Sequence, residues 1–311
     1  MLEELNPDAM EEFELAARAE DTLQLMHDWG YAPTLHALAD SLLGGSTSVA
    51  SLEQSLTSSA RVRIDGGFAC LRENENLLEK SKRRARSHRV LNGHARTVAE
   101  AFARDLASAC PYIDCIALSG SVASGGYDAG DDIDFDLFVR PGTKYVCYFT
   151  SLLTGLKYSW RYRRVTGGNM RRIGRLPKVV CINVVWTEDE TRPFSRQDAA
   201  LAFELLRCQP LVGATFFSRT LERNRWLTAF FPQLFARPLA DEVGRRKNRL
   251  ARTLEAIGQR AVTLRILEGF CRVASWLIYS FVQGIWGRDP VTRARMEFLR
   301  RVKYPYEVFQ E

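Results

Sequence analysis

The chain has 311 residues, 46% of them hydrophobic and 26% charged, an ordinary globular composition with length for two or three domains. Seven cysteines (Cys70, Cys110, Cys115, Cys147, Cys181, Cys208 and Cys271) are scattered through apolar runs without CxxC or CxxxH spacing, which argues against a zinc site or a disulfide framework and for buried thiols in a reducing cytoplasm. Net charge is +6, but residues 1–30 carry −8 and the remainder +14, an asymmetry that suits a polyanionic partner, either nucleotide or nucleic acid.

The acidic N-terminal stretch lacks the apolar centre of a signal peptide and predicts an amphipathic helix over 8–28. Pro33 opens and Gly44-Gly45 close an expected helix over 33–45. Ser46-Thr47-Ser48 would cap a second helix over 49–59. Residues 60–71, ARVRIDGGFACL, alternate around Asp-Gly-Gly and predict a hairpin. This order of helix, turn, helix and hairpin resembles a winged helix-turn-helix domain. The second helix offers Ser51, Glu53, Gln54, Ser55 and Thr57, without Lys or Arg, where a groove-reading helix needs cations. A protein-contact or structural role is therefore favoured over nucleic-acid binding.

Residues 80–96, rich in Lys and Arg, read as a solvated linker helix that continues through VAEAFARDLASAC. His27, His36, His88 and His94 show no metal-ligand spacing. From Tyr112 the period changes. IDCIALSG and DIDFDLFV predict strands, 143–160 a helix and KVVCINVVW (178–186) a third strand. A basic loop, with Arg161, Arg163, Arg164, Arg171, Arg172, Arg175 and Lys178, precedes that strand and offers charge to a phosphate. Phe194 to Asp198 reads as a helix start capped by Ser195, and 196–287 as mainly helical with breaks at Pro210, Pro232 and Pro238. The longest apolar run, 273–287, is shorter than the ~20 residues of a membrane span. It is expected to be a buried helix of a C-terminal bundle.

The most informative stretch is 116–139, IALSGSVASGGYDAGDDIDFDLFV. On a strand, Asp132, Asp134 and Asp136 share one face while Ile133, Phe135 and Leu137 face the other way. Adjacent carboxylates suit a hard divalent cation, Mg²⁺ or Mn²⁺. The turn at Gly120-Ser121 offers backbone N–H groups and a hydroxyl to phosphate oxygens. A solvated edge strand explains the alternation but not this turn. Phosphate, carboxylates and Mg²⁺ together point to phosphoryl or nucleotidyl transfer.

Gly120-Ser121, a spacer of ten residues, then Asp132-Ile133-Asp134 resembles the signature of the DNA polymerase β-type nucleotidyltransferase superfamily, over about residues 112–186. The layout is also similar to bacterial proteins with a winged-helix segment before such a core and a helical region after it. The resemblance implies an α+β fold: a helix and winged-helix-like domain over 1–78, a basic linker helix over 79–110, a small mixed-sheet nucleotidyltransferase core over 111–192 and a helical region over 193–311. It implies that Asp132 and Asp134 bind Mg²⁺, and that Gly120 and Ser121, with Ser124 and Gly125 in the same loop, hold the phosphates of an NTP, ATP being the expected donor. The family's third carboxylate would fall at Asn183, which cannot take a proton. Asp136 or the acids Glu188, Asp189 and Glu190 are the candidate substitutes, although a rise of ~3.3 Å per residue puts Asp136 ~13 Å from Asp132. The expected activity is transfer of a nucleoside monophosphate to a small-molecule or protein hydroxyl, with release of pyrophosphate. The alternative is a weakly catalytic or non-catalytic nucleotide sensor, a winged-helix regulator or antitoxin-like protein with a protein partner. No membrane span is expected, and the compartment expected is the cytoplasm.

Overall fold

The computed structural model describes residues 7–163, 172–173, 176–241, 243–244 and 246–286. The protein is of mixed helix and sheet, α+β in class. In chain order the elements are α1 (Pro7–Asp28), α2 (Leu35–Asp40), α3 (Val49–Thr57), β1 (Val62–Asp65), β2 (Phe68–Leu71), α4 (Asn76–Ala109), β3 (Ile113–Ser119), α5 (Gly120–Ala123), β4 (Ile133–Val139), α6 (Lys144–Arg161), β5 (Arg172–Ile173), β6 (Leu176–Pro177), β7 (Val180–Thr187), α7 (Ala199–Arg207), β8 (Gln209–Val212), α8 (Ala214–Arg223), α9 (Arg249–Gly258) and α10 (Ala261–Trp286). They fall into two compact units. One comprises residues 1–86, 196–206 and 225–238; the other comprises 87–195, 207–224 and 239–311.

In the first unit, α1 buries Ala19, Leu23 and Met26 at helical spacing, with Leu38 and Leu52 also in the core. The α2 helix ends at Asp40 rather than near Gly44, because the backbone beyond it finds other partners. Arg18 donates to the carbonyls of Leu43 and Gly45, both at 2.7 Å, and Thr22 Oγ1 accepts from Leu43 N at 3.0 Å. Gly44 N donates to Phe230 O at 2.7 Å. Ser48 caps α3 by accepting from Ser51 N at 3.0 Å. The hairpin pairs Val62 with Leu71 and Asp65 with Phe68; both Gly66 and Gly67 have positive φ, as a type I′ turn requires.

The second unit is built on a four-stranded sheet in the order β7-β4-β3-β8. The β3 strand pairs antiparallel with both β4 and β8, while β4 and β7 run parallel. Strand alternation sends Ile133, Phe135 and Leu137 into one core with Val98, Phe102 and Leu106 of α4 and Val146 and Tyr158 of α6. Phe102 lies 4.8 Å from Phe135 and 5.5 Å from Tyr158, centroid to centroid. Phe138 belongs to the opposite face, where it packs against Trp186 at 5.1 Å and Phe217 at 5.6 Å. That face therefore runs from acids at the start of β4 to aromatics at its end.

Several expectations change. The span after 193 contains a strand, β8, where Pro210 suggested only a helix break; at the sheet edge a proline costs no interior ladder bond. Asp198, not Ser195, caps α7, its Oδ1 accepting from Leu201 N at 2.9 Å. The α10 helix is not buried all round: Val262, Ile266, Phe270, Val273, Leu277 and Phe281 are exposed. Its inner side packs on α6, where Glu268 accepts from Tyr145 N at 2.8 Å and Val146 N at 2.9 Å. Cys181 is half-buried and the other six cysteines are buried, all as free thiols. Among the described residues no helix is long and apolar enough to cross a membrane.

Candidate functional site

Sheet register builds the site. The β3 strand ends at Ser119, directly opposite Asp134 of β4. Gly120 then turns the chain with φ +62 into the single helical turn of α5. A methyl group on Gly120 would collide with the Asp134 carboxylate. Glycine is thus required twice, for its left-handed backbone and for the close approach of the acid. Ser121 follows, its Oγ buried without a hydrogen-bond partner. Ser124 N donates to Gly120 O at 3.0 Å, and Gly125 has φ +79 with open space around it. The rest of the loop is anchored to α4: Ser87 donates to Asp128 at 2.7 Å and Tyr127 N to His88 Nδ1 at 3.2 Å.

Asp132 and Asp134 are half-buried and converge with Cys181 of β7, one ligand atom from each lying within 4.8 Å of the others. Parallel register explains the third member, since Asp134 pairs with Cys181. These groups could hold a metal ion. Lys178 forms an ion pair with Asp132. Burial alone would lower the pKa of its ammonium, but Asp132 and Cys181 hold it above the ordinary lysine range. Burial pushes the Cys181 thiol up to about 12, Lys178 opposing and the two aspartates adding to the rise. Burial, then the surrounding aspartates, pushes the Tyr127 phenol up to about 12.

Asp136 has a different environment. It is fully buried, accepting from Ser119 Oγ at 3.0 Å and from Cys208 Sγ at 3.2 Å. Asn183 occupies the register shift between β4 and β7, and its Nδ2 donates to Ser119 Oγ at 3.2 Å. Asn183, Ser119, Asp136 and Cys208 thus form one hydrogen-bonded chain behind the acid pair. Glu188, Asp189 and Glu190 follow β7 at its far end, where Thr187 pairs with Val139. Glu188 lies seven positions beyond Cys181, about 23 Å along a strand. Glu188 contacts Arg192 and Arg223, and Glu190 lies 2.8 Å from Lys144. Burial opposes charge on Glu190, yet Lys144 and the Thr187 amide hold its pKa below the usual carboxylate value.

The fold thus brings together Gly120, Asp132 and Asp134, with Ser121 adjoining Gly120 in sequence, and leaves Glu188–Glu190 apart. From the sequence, Cys181 and Cys208 read only as buried thiols and Lys178 as one of many loop cations, and Ser119 carries no role. The parallel pairing of β7 with β4 was the missing signal. Arg164, Arg171 and Arg175 of the basic loop lie outside the described residues. Comparison of the chain with family models, with curated proteins and with solved structures finds no match.

Proposed function

We propose that the protein is a Mg²⁺-dependent nucleotidyltransferase that moves a nucleoside monophosphate from an NTP, ATP being the expected donor, to a hydroxyl of a small molecule or a protein. The observation that carries this reading is the fit of Gly120 against Asp134. A left-handed glycine, with no room for a side chain, sets a turn with an unpartnered buried hydroxyl beside an acid pair. Backbone turns of this kind accept phosphate oxygens, and paired carboxylates accept hard cations.

The donor set fits Mg²⁺ or Mn²⁺ through Asp132 and Asp134. The Cys181 thiol is a soft ligand, poorly matched to a hard cation, so the two carboxylates are the expected donors. When bound, a divalent ion supplies positive charge to the phosphates. The turn at Gly120-Ser121 orients the triphosphate. The acceptor oxygen forms its bond to the α-phosphorus as the bond to the bridging oxygen breaks, and pyrophosphate leaves. The acceptor proton passes to water, because Asn183 cannot take it and Asp136 is enclosed.

A second reading is favoured by Lys178 and Asn183. Lys178 already neutralises Asp132, and Asn183 stands where a base is expected. Such a core would bind nucleotide without turnover, as a sensor. Binding of duplex DNA through the winged-helix-like segment is disfavoured. The outer face of α3 presents Ser51, Glu53, Gln54 and Thr57, and the flanking Arg61 and Arg63 are paired with Glu20 at 2.8 Å and Glu75 at 2.6 Å. The test is pyrophosphate release from each of the four NTPs with Mg²⁺ or Mn²⁺, in the wild type and in an Asp132→Ala/Asp134→Ala variant. Turnover lost in the variant supports transfer. Nucleotide binding without turnover, tried with candidate acceptors, supports the sensor.

A further inference from the structure

Lys178 stands just before the strand that pairs with the acids' own strand. The Val179 carbonyl accepts from Ile133 N at 3.0 Å, and β7 begins pairing with β4 at Val180. The ammonium is thus delivered to Asp132 by the sheet itself. Both partners are largely enclosed, Lys178 with 19% and Asp132 with 14% of the side chain exposed. Charges this close in a partly desolvated place interact far more strongly than at a surface.

Two carboxylates near each other and withdrawn from water repel unless a cation joins them. Here the chain supplies that cation. A divalent ion held by the same carboxylates would stand beside a like charge, which costs free energy unless the ammonium moves away. The four-carbon stem of lysine allows that movement where a planar guanidinium fork would be less free.

We propose that Lys178 is the built-in counter-ion of the acid pair, and that a divalent ion binds by displacing its ammonium from Asp132, so that metal affinity is held down by an internal competitor. This inference rests on the reading of Asp132 and Asp134 as the metal site. It accounts for a lysine ammonium seated on one member of the acid pair.

The test is Mn²⁺ binding to the full chain, without nucleotide, read from the electron paramagnetic resonance of free Mn²⁺. Lys178→Met and Lys178→Gln are expected to bind Mn²⁺ at least about tenfold more tightly than wild type. Adding Asp132→Asn/Asp134→Asn to either is expected to remove that binding. Equal or weaker binding by the lysine variants overturns the inference. Should those variants fail to fold, acetylation of Lys178 in the wild type, read by mass spectrometry, decides. Saturating Mn²⁺ is expected to raise the rate at Lys178 relative to other lysines, and an unchanged or lower rate overturns the inference. Tighter Mn²⁺ binding by Lys178→Met, with no pyrophosphate release by any form, keeps the counter-ion and removes the transferase. Unchanged affinity with normal turnover does the reverse. Absence of Mn²⁺ binding in every form overturns both.

Discussion

Single residues decide whether the acid pair is usable. Gly120→Ala adds a methyl group where the Asp134 carboxylate sits and forces a non-glycine residue to φ +62. It is expected to weaken Mn²⁺ binding at least about tenfold and to cost about 1–2 kcal/mol in urea unfolding. Gly125→Ala is the control. Its φ is +79 but its surroundings are open, so only the backbone cost of about 1 kcal/mol should appear, with Mn²⁺ affinity unchanged. A separate residue governs acid stability. His27 is buried with both ring nitrogens unpartnered, and burial lowers its pKa to about 4, Asp28 opposing. Its folded pKa lies below the unfolded value of 6.5, so the unfolded chain takes up the proton first. Stability should fall as pH drops from 6.5 towards 4, by about 3 kcal/mol in total. His27→Leu should flatten that part of a stability-versus-pH curve; an unchanged slope would refute the assignment. The glycine-serine turn and Asp132-Asp134 were legible in the sequence because local chemistry fixes them. Lys178 and Cys181 were not, because their role depends on which strand pairs with β4.

At the scale of elements, periodicity located α1, the hairpin and the strands β3, β4 and β7, since each carries its own pattern of buried positions. It overlooked β8, whose four residues hold a proline and show no alternation. It overextended α2, where Arg18 and Thr22 reach across and take the backbone groups that a longer helix would have used. It also could not foresee that α6 is capped by a residue more than a hundred positions away. Thr143, at the N-cap, makes no side-chain capping bond, and Glu268 takes the Tyr145 and Val146 N–H groups instead. Glu268→Ala should cost about 1–2 kcal/mol, seen as a lower denaturant midpoint with an unchanged slope. Glu268→Gln keeps an acceptor and should recover part of that loss. Equal stability of wild type and Glu268→Ala would show that the cap contributes nothing.

At the scale of the whole molecule, the charge asymmetry suits a polyanionic partner, and the two units place their cations differently. In the first unit the arginines flanking α3 are paired with acids, whereas in the second unit an acid pair with a built-in lysine lies beside a glycine turn. Duplex DNA should therefore bind only weakly, and with no dependence on α3. An affinity unchanged by Ser51→Ala/Gln54→Ala agrees with this, and a large loss would restore a groove-reading role.

The most direct measurement of the central claim is calorimetric titration of NTP into the full chain, with and without Mg²⁺, in wild type and in Asp132→Asn/Asp134→Asn. The account predicts saturable binding of at least one NTP that requires Mg²⁺ and disappears in the double variant. Absence of binding by any NTP, or binding that survives both loss of Mg²⁺ and loss of the two carboxylates, would contradict it.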